Sequence, residues 1–272
     1  FIINWKKKIP WGSKDEEAKD ALAPMFNSDG VLNTNKLYYA YRWMDYEQAV
    51  LSINRYNATT GGYPANAVAR VDTAWIDEDG MIQERTIDRP VREPRDFYSY
   101  RIITVYPDTL VWARDFQYSF NDPLIRKYFS HSGYAEYPVV GVSWEQAVAF
   151  CNWRTAFFNS HSVENVQDYR LPTEAEWEFA AYAPIAGEDG LTIEGKIYPW
   201  SGYHPRDLGK DVKGMMRANF TRGRGDMMGV SGALNDAYVT TAPVDAFGPN
   251  DFGLYNMAGN VNEWVLDVYR ET

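Results

Sequence analysis

Two capping boxes in the second half of the chain limit the folds that it can adopt. A capping box pairs a hydroxyl residue with a Glu or Gln three positions later, and the two side chains satisfy backbone N–H groups at a helix start. The boxes here are Ser143 with Gln146 and Thr173 with Glu176. They predict helices that begin at residues 144 and 174. Acidic residues near the second start oppose the positive end of the helix dipole, which explains them without acid–base chemistry.

The other predicted elements are of both types, so we expect an α+β fold with much irregular structure. A third capping box predicts a helix from residue 13, and a nearly amphipathic spacing predicts another over 34–55. Asp79-Gly80 lies between two apolar runs and predicts a hairpin turn. Segments rich in β-branched and aromatic residues predict strands over 100–106, 110–116 and 138–142.

Charge and cysteine content exclude several classes of protein. The chain has 27 Lys and Arg against 37 Asp and Glu, without a basic block, so it lacks the electrostatic pattern of a nucleic-acid binder. No apolar run approaches the ~18 residues of a membrane-spanning helix. One cysteine cannot form an internal disulfide or a thiolate zinc site, and His131, His161 and His204 do not form a metal-binding pair.

Several blocks of the second half, in this order, resemble the formylglycine-generating enzyme (sulfatase-modifying factor) domain. This resemblance implies a formylglycine-generating-enzyme-like, C-type-lectin-like α+β fold. It predicts a core domain over 137–272 that is incomplete at its C-terminal end, with residues 1–136 as an elaboration packed on it. The blocks are Val140 to Trp144, Ala147 to Trp153, Arg170 to Glu178, Tyr198 to Gly202, Ala218 to Phe220, Thr241 to Asp245 and Phe252 to Trp264.

The first half resembles the GldK/PorK lipoproteins of the Bacteroidetes gliding and type IX secretion machinery. That resemblance implies a non-catalytic structural subunit of a periplasmic ring, anchored to the outer membrane through a lipidated cysteine before Phe1. It also implies a homo-oligomeric ring and a GldN/PorN-type periplasmic partner. The segments that carry it are Ile3 to Lys6, Tyr39 to Tyr46, Val105 to Trp112, Asp115-Phe116 and Tyr118 to Asn121.

The enzyme-like resemblance further implies two structural calcium sites. Calcium takes six to eight oxygen ligands from carboxylates, amides and backbone carbonyls, often on irregular segments. Asn262 departs from the family pattern, which commonly has an aromatic residue there. The competing interpretation is that these Asn and Asp residues form turns with their own backbone. The implied ligands are Asn219 and Asp236 with the main-chain oxygens of Phe220 and Tyr238, and Asn256 and Glu263 with the carbonyls of Gly259 and Val261.

No catalytic group is expected in this stretch of sequence. The family's oxidase reaction implies a copper-binding cysteine pair downstream of the block that ends at Trp264, because soft thiolates select Cu(I). Cys151 falls on the apolar side of a capped helix, where a thiol is usually inert. We therefore predict a protein that is not an enzyme. A copper-dependent formylglycine-generating oxidase acting on a sulfatase cysteine, and a carbohydrate-binding module, remain as alternatives.

Aromatic residues make up 16% of the chain, and they fall into two groups. The first lies in the enzyme-like blocks and is predicted to pack the core: Trp144, Trp153, Trp177, Trp200 and Trp264. The second is concentrated in the first half. Because Tyr and Trp are enriched in interfaces, we expect subunit contacts there, with an ordinary core as the alternative. Its members are Tyr38, Tyr39, Tyr41, Trp43, Tyr46, Tyr98, Tyr100, Tyr106 and Trp112.

Overall fold

The computed structural model separates into two compact units, Phe1–Tyr106 and Pro107–Thr272. It describes residues 33–115, 124, 127–162, 165–184, 196–200, 202–210, 213–220, 238 and 240–267. Helices and strands both occur, which confirms the α+β class. The helix predicted from residue 13 lies outside the described residues. The boundary predicted between residues 136 and 137 stays a prediction.

A β-hairpin in the first unit confirms the prediction around Asp79-Gly80. Strand β2 (Val68–Ile76) pairs antiparallel with β3 (Ile82–Pro90), and Ile76 lies opposite Ile82. Gly80 has φ +79, a conformation that costs glycine little. The Asp77 carboxylate accepts hydrogen bonds from the N–H groups of Met81 (2.7 Å) and Asp79 (3.1 Å), which lowers its pKa. The turn is therefore fixed by its own sequence.

The helix predicted over 34–55 is wrong. This segment contains β1 (Tyr38–Met44) and a short helix α1 (Tyr46–Val50). Strand β1 pairs antiparallel with β4 (Tyr98–Thr104), which confirms the strand predicted over 100–106. Tyr39, Tyr41 and Trp43 alternate along β1 and their rings form a ladder on one side, with centroids 5.9 and 5.8 Å apart. This period of two, rather than the helical spacing, determines the local structure.

A small apolar cluster and one buried amide hold the first unit together. The cluster is formed by Ala67, Ala69, Val71, Val91 and Phe97. Asn54 is fully buried, and its side chain bonds to both the N–H and the C=O of Val68 as β2 begins. The aromatic residues predicted to make subunit contacts include both exposed and buried members, and that prediction stays untested.

Both helices predicted from capping boxes are confirmed in the second unit. Helix α3 (Trp144–His161) and helix α4 (Glu174–Tyr182) begin with both reciprocal hydrogen bonds in place. The strand predicted over 110–116 is wrong. Helix α2 (Val111–Asp115) occupies it, because the Asp108 carboxylate accepts from the Leu110 N–H (2.9 Å) and starts a turn.

The strand predicted over 138–142 is also wrong. The segment is irregular, and Gly141 has φ +72, which breaks an extended run. A Cβ at Gly141 would lie 2.3 Å from the carbonyl oxygen of Asp108. The apolar residues beside this segment still contribute to a core: Trp112, Leu124 and Tyr128 form a buried cluster. The Tyr128 hydroxyl bonds to the Pro138 carbonyl (2.6 Å) and to Thr241 (3.1 Å).

The tryptophan prediction is partly wrong. Trp153 and Trp264 are 38% and 53% exposed, so they do not lie inside a core. Instead, the Trp264 indole N–H donates to a backbone carbonyl, that of Val142 (2.8 Å). Among the described residues, no helix has the length and apolar character needed to span a membrane.

Candidate functional site

A short irregular segment, residues 263–267, lies against the starts of both long helices. We call it the strap. The Trp144 indole N–H donates to the Val265 carbonyl (2.9 Å). The Leu266 N–H donates to the Pro172 carbonyl (2.8 Å), and the Asp267 carboxylate accepts from the Glu174 N–H (2.7 Å). Because an α-helix leaves its first N–H groups unpaired, Asp267 satisfies one of them from outside the helix.

The start of α4 is rigidly specified. Thr173 is the N-cap, and the backbone N–H of Thr173 donates to the Glu176 carboxylate (2.9 Å). The Arg170 guanidinium donates two hydrogen bonds of 2.7 Å to the same carboxylate. These hydrogen bonds lower the pKa of Glu176 from its ordinary value of 4.5 to about 2. The prediction that this carboxylate serves the helix start agrees with these contacts.

The amide side chains of Asn219 and Asn260 hold a second irregular segment, residues 240–242. The Asn219 amide donates to the Thr240 carbonyl (2.7 Å) and to the Asn260 side-chain oxygen (3.1 Å). Asn260 also bonds to both the N–H (2.8 Å) and the C=O (3.2 Å) of Ala242. A Cβ on Gly259, which has φ +77, would lie 2.1 Å from the Asn219 carbonyl oxygen, so the two backbones approach as closely as glycine allows.

Asn256 combines an unusual backbone with an unsatisfied oxygen. Its φ is +53, which Asn tolerates better than most residues. Its amide nitrogen donates to the carbonyls of Pro243 (3.2 Å) and Val244 (2.7 Å). Its side-chain oxygen Oδ1 is buried and has no hydrogen-bond partner within the described part of the chain. A buried acceptor without a donor is costly, and a bound cation or a water molecule would satisfy it.

The predicted calcium ligands fall partly within this region. Asn256, Gly259, Val261 and Glu263 lie in one described stretch that runs into the strap. Glu263 is exposed, and its Oε2 accepts a hydrogen bond from the Trp177 indole (2.7 Å). Of the other predicted set, Asn219, Phe220 and Tyr238 are described and Asp236 lies outside the described residues. No group of three His, Cys, Asp or Glu that could hold a metal occurs among the residues that the structure describes.

The single cysteine lies on α3 and is half-buried. Burial raises the pKa of the Cys151 thiol, which disfavours the reactive thiolate. This agrees with the expectation of an inert thiol.

Sequence reasoning missed the residues that hold this unit together. Asn250 and Asn260 were not singled out as site residues, although each satisfies several backbone groups from a buried or half-buried position. Sequence patterns placed Trp144, Trp177 and Trp264 in the core. They did not predict that the indole N–H groups of these residues donate hydrogen bonds. The available signal was the co-occurrence of Asn and Trp in otherwise irregular blocks, because such segments need side-chain partners for their backbone.

Comparison with known families identifies the domain. The family model described as the sulfatase-modifying factor enzyme 1-like domain matches residues 68–272. The chain belongs to this family. The sulfatase-modifying factor match begins before residue 137, so it includes the β2–β3 hairpin.

Three relatives show which known proteins this chain is similar to. The formylglycine-generating enzymes of Mus musculus and Thermomonospora curvata are 38% and 41% identical over 49% and 48% of this chain. The inactive C-alpha-formylglycine-generating enzyme 2 of Bos taurus is 37% identical over 50% of it. The matches span 28%, 33% and 34% of these relatives, respectively. No solved structure gives a significant match.

These relatives overturn two predictions. We expected a non-catalytic structural subunit of a secretion ring, and we expected no enzyme. Relatives named formylglycine-generating enzyme match at 34–41% identity and point to an enzyme, although inactive paralogues occur among them. The predictions failed because they rested on the resemblance of the first half to GldK/PorK lipoproteins and on the lack of a second cysteine. The lack of a second cysteine carries no weight in a sequence whose matches span about a third of these relatives.

Proposed function

We propose that the protein is a formylglycine-generating enzyme that oxidises a sulfatase cysteine to the aldehyde of formylglycine. The observation that supports this best is the identity of 38% and 41% to enzymes of that name, within a family match over residues 68–272. Residues 137–267 would then supply the framework of the enzyme. The capped starts of α3 and α4, the strap and the asparagine contacts would keep that framework in one conformation.

The proposed reaction is an oxidation. The Cβ–S bond and one Cβ–H bond of the substrate cysteine break and a C=O bond forms, so the carbon loses two electrons. Dioxygen accepts four, a thiol reductant supplies the other two, and hydrogen sulfide and water leave. Burial raises the pKa of the Cys151 thiol, which disfavours the thiolate form that copper binds.

The activity can be tested on the full-length protein. A peptide carrying a sulfatase cysteine is incubated with the protein, dioxygen, a thiol reductant and Cu(I), and the aldehyde is detected by mass spectrometry and hydrazide labelling. We expect conversion by the wild type and by a Cys151→Ala variant. If the wild type leaves the peptide thiol intact, the protein is not a formylglycine-generating enzyme.

We also propose that Asn256, Glu263 and the carbonyls of Gly259 and Val261 hold a structural calcium ion. The buried Oδ1 of Asn256, which lacks a hydrogen-bond donor among the described residues, supports this proposal. The other groups are also hard oxygen donors of the kind that calcium takes. The ion would supply a positive charge to these oxygens and hold the segment in place. Adding a chelator should lower the melting temperature, and an unchanged melting temperature would argue against the ion.

The second calcium set keeps the same status as a proposal: Asn219, Asp236, Phe220 and Tyr238. The C-type-lectin-like description of the fold is also our proposal. The finer likeness of the first half to GldK/PorK lipoproteins stays a prediction. So do the GldN/PorN-type partner, the homo-oligomeric ring and a place on the periplasmic face of the outer membrane. Affinity purification and fractionation of the full-length protein would test these.

A further inference from the structure

One hydrogen bond links helix α4 to a proposed calcium ligand. The Trp177 indole N–H donates to Glu263 Oε2 at 2.7 Å. We infer that Trp177 is a positioning residue, which holds the Glu263 carboxylate in the orientation that calcium requires. This inference rests on the calcium site proposed above and extends it to a residue outside the ligand set.

Trp177 is well placed for this task because hydrogen bonds fix the first turn of its helix. It lies one position after Glu176, whose carboxylate is held by the Arg170 guanidinium and by the Thr173 N–H. The backbone N–H of Trp177 itself donates to the Thr173 carbonyl (2.9 Å). The first turn of α4 therefore fixes the direction in which the indole leaves the helix.

The strap meets the same helix turn at a second point. Glu174 and Trp177 lie three residues apart, so they occupy one side of α4. They bond to Asp267 and Glu263, respectively, which lie at the two ends of the strap. Because both ends are tied to one helical turn, the Glu263 carboxylate and the indole are held together by more than their own contact.

The Glu263 side chain is exposed and lies on an irregular segment, so packing contributes little to fixing its rotamer. A free glutamate samples many rotamers and loses that freedom when a metal binds. A donor that fixes the carboxylate in advance reduces this loss, and removing such a partner typically weakens metal binding about 10- to 100-fold. The indole N–H is a donor only, so its partner must be an acceptor such as a carboxylate oxygen.

The experiment compares two tryptophans that both bond to the strap. Trp177→Phe removes the N–H that reaches the Glu263 side chain, whereas Trp144→Phe removes an N–H that reaches only the Val265 backbone. Both variants of the full-length protein are freed of metal with a chelator. Calcium affinity is then measured by titration calorimetry, and the melting temperature of the metal-free protein is measured separately.

We expect Trp177→Phe to weaken one class of calcium sites at least 10-fold. We expect Trp144→Phe to lower the metal-free melting temperature while leaving the calcium affinity within about twofold. In the wild type, the ¹⁵N-labelled indole resonance of Trp177 should shift during the calcium titration more than that of Trp144. This second readout applies even if a variant does not fold.

Two outcomes would overturn the inference, and they are distinguishable. If the wild type binds calcium while Trp177→Phe binds it equally well, or the Trp177 resonance does not move, Trp177 has only a structural role. If the wild type binds no calcium, the calcium proposal itself fails and the inference fails with it. Neither result bears on the formylglycine activity, which is measured independently.

Discussion

The two units satisfy their backbones in different ways. In the first, two antiparallel strand pairs, β1 with β4 and β2 with β3, bond their backbones to each other. In the described part of the second, the backbone outside the helices is irregular apart from isolated bridges, and side chains bond to it. Asn250 alone bonds to the carbonyls of Ala180 and Ala181 and to the N–H groups of Phe252 and Leu254.

This difference explains why the candidate site lies in the second unit. A strand ladder uses its N–H and C=O groups regularly and leaves few oxygens for a ligand. An irregular segment held by side chains can bring carbonyls, amides and carboxylates together at one place, as calcium requires. The unsatisfied Oδ1 of Asn256 belongs to such a segment. We therefore expect the second unit to depend on individual side chains far more than the first.

The largest effect is expected from a matched pair of glycine substitutions. Gly80 and Gly259 have nearly the same φ, +79 and +77. A Cβ at Gly80 meets nothing within 4 Å, whereas one at Gly259 would lie 2.1 Å from the Asn219 carbonyl oxygen. Gly259→Ala should reduce the free energy of unfolding by about 3–5 kcal/mol and Gly80→Ala by only about 1 kcal/mol. Equal losses in chemical denaturation would mean that φ alone matters.

The next comparison concerns two asparagines. Asn250 is 8% exposed and makes four hydrogen bonds to backbone groups. Asn57 is exposed and accepts from the N–H groups of Thr59 and Thr60. Because water can replace only the exposed bonds, Asn250→Ala should cost about 2–4 kcal/mol and Asn57→Ala less than about 1 kcal/mol. A similar cost for both in urea unfolding would contradict the proposed dependence on buried amides.

Glu176 predicts a pH dependence. Its pKa in the folded protein is about 2, below its ordinary 4.5, so its stabilising effect is present above pH 4.5 and lost as the pH falls towards 2. Glu176→Gln should lower the melting temperature at pH 7 and flatten its decline between these pH values. Glu178→Gln, an exposed change on the same helix, is the control. An unchanged acid profile in Glu176→Gln would rule out this contribution.

The smallest effect is expected from an ion pair of the first unit. Arg70 Nε and Asp88 Oδ1 lie 4.0 Å apart, and their side chains are 75% and 73% exposed. Solvent screens such a pair, and the β2–β3 ladder holds both strands without it. Asp88→Asn should change the free energy of unfolding by less than about 0.5 kcal/mol. A larger loss would show that exposed ion pairs also stabilise the first unit.

The sequence predicted what depends on near neighbours. The capping boxes at Ser143 and Thr173 and the Asp79-Gly80 turn involve residues within four positions, and all three were correct. The segment 34–55 was misread because its approximate helical spacing competed with the alternation of Tyr39, Tyr41 and Trp43. The contact of Asn219 with Asn260 joins residues 41 positions apart, and no local pattern encodes it. The oxygen-rich positions could be predicted, but not which of them lacks a donor.

Amide hydrogen exchange with and without calcium tests the contrast between the units most directly. The account predicts that a chelator accelerates exchange at the N–H groups of Asn260, Ala242 and Leu266. These groups donate to the Asn219 carbonyl, the Asn260 side-chain oxygen and the Pro172 carbonyl, respectively. Exchange at Val71 and Ile87, within the β2–β3 ladder, should stay the same. If calcium removal leaves Asn260 and Leu266 unchanged, or accelerates both groups alike, the irregular unit is not held in the way described.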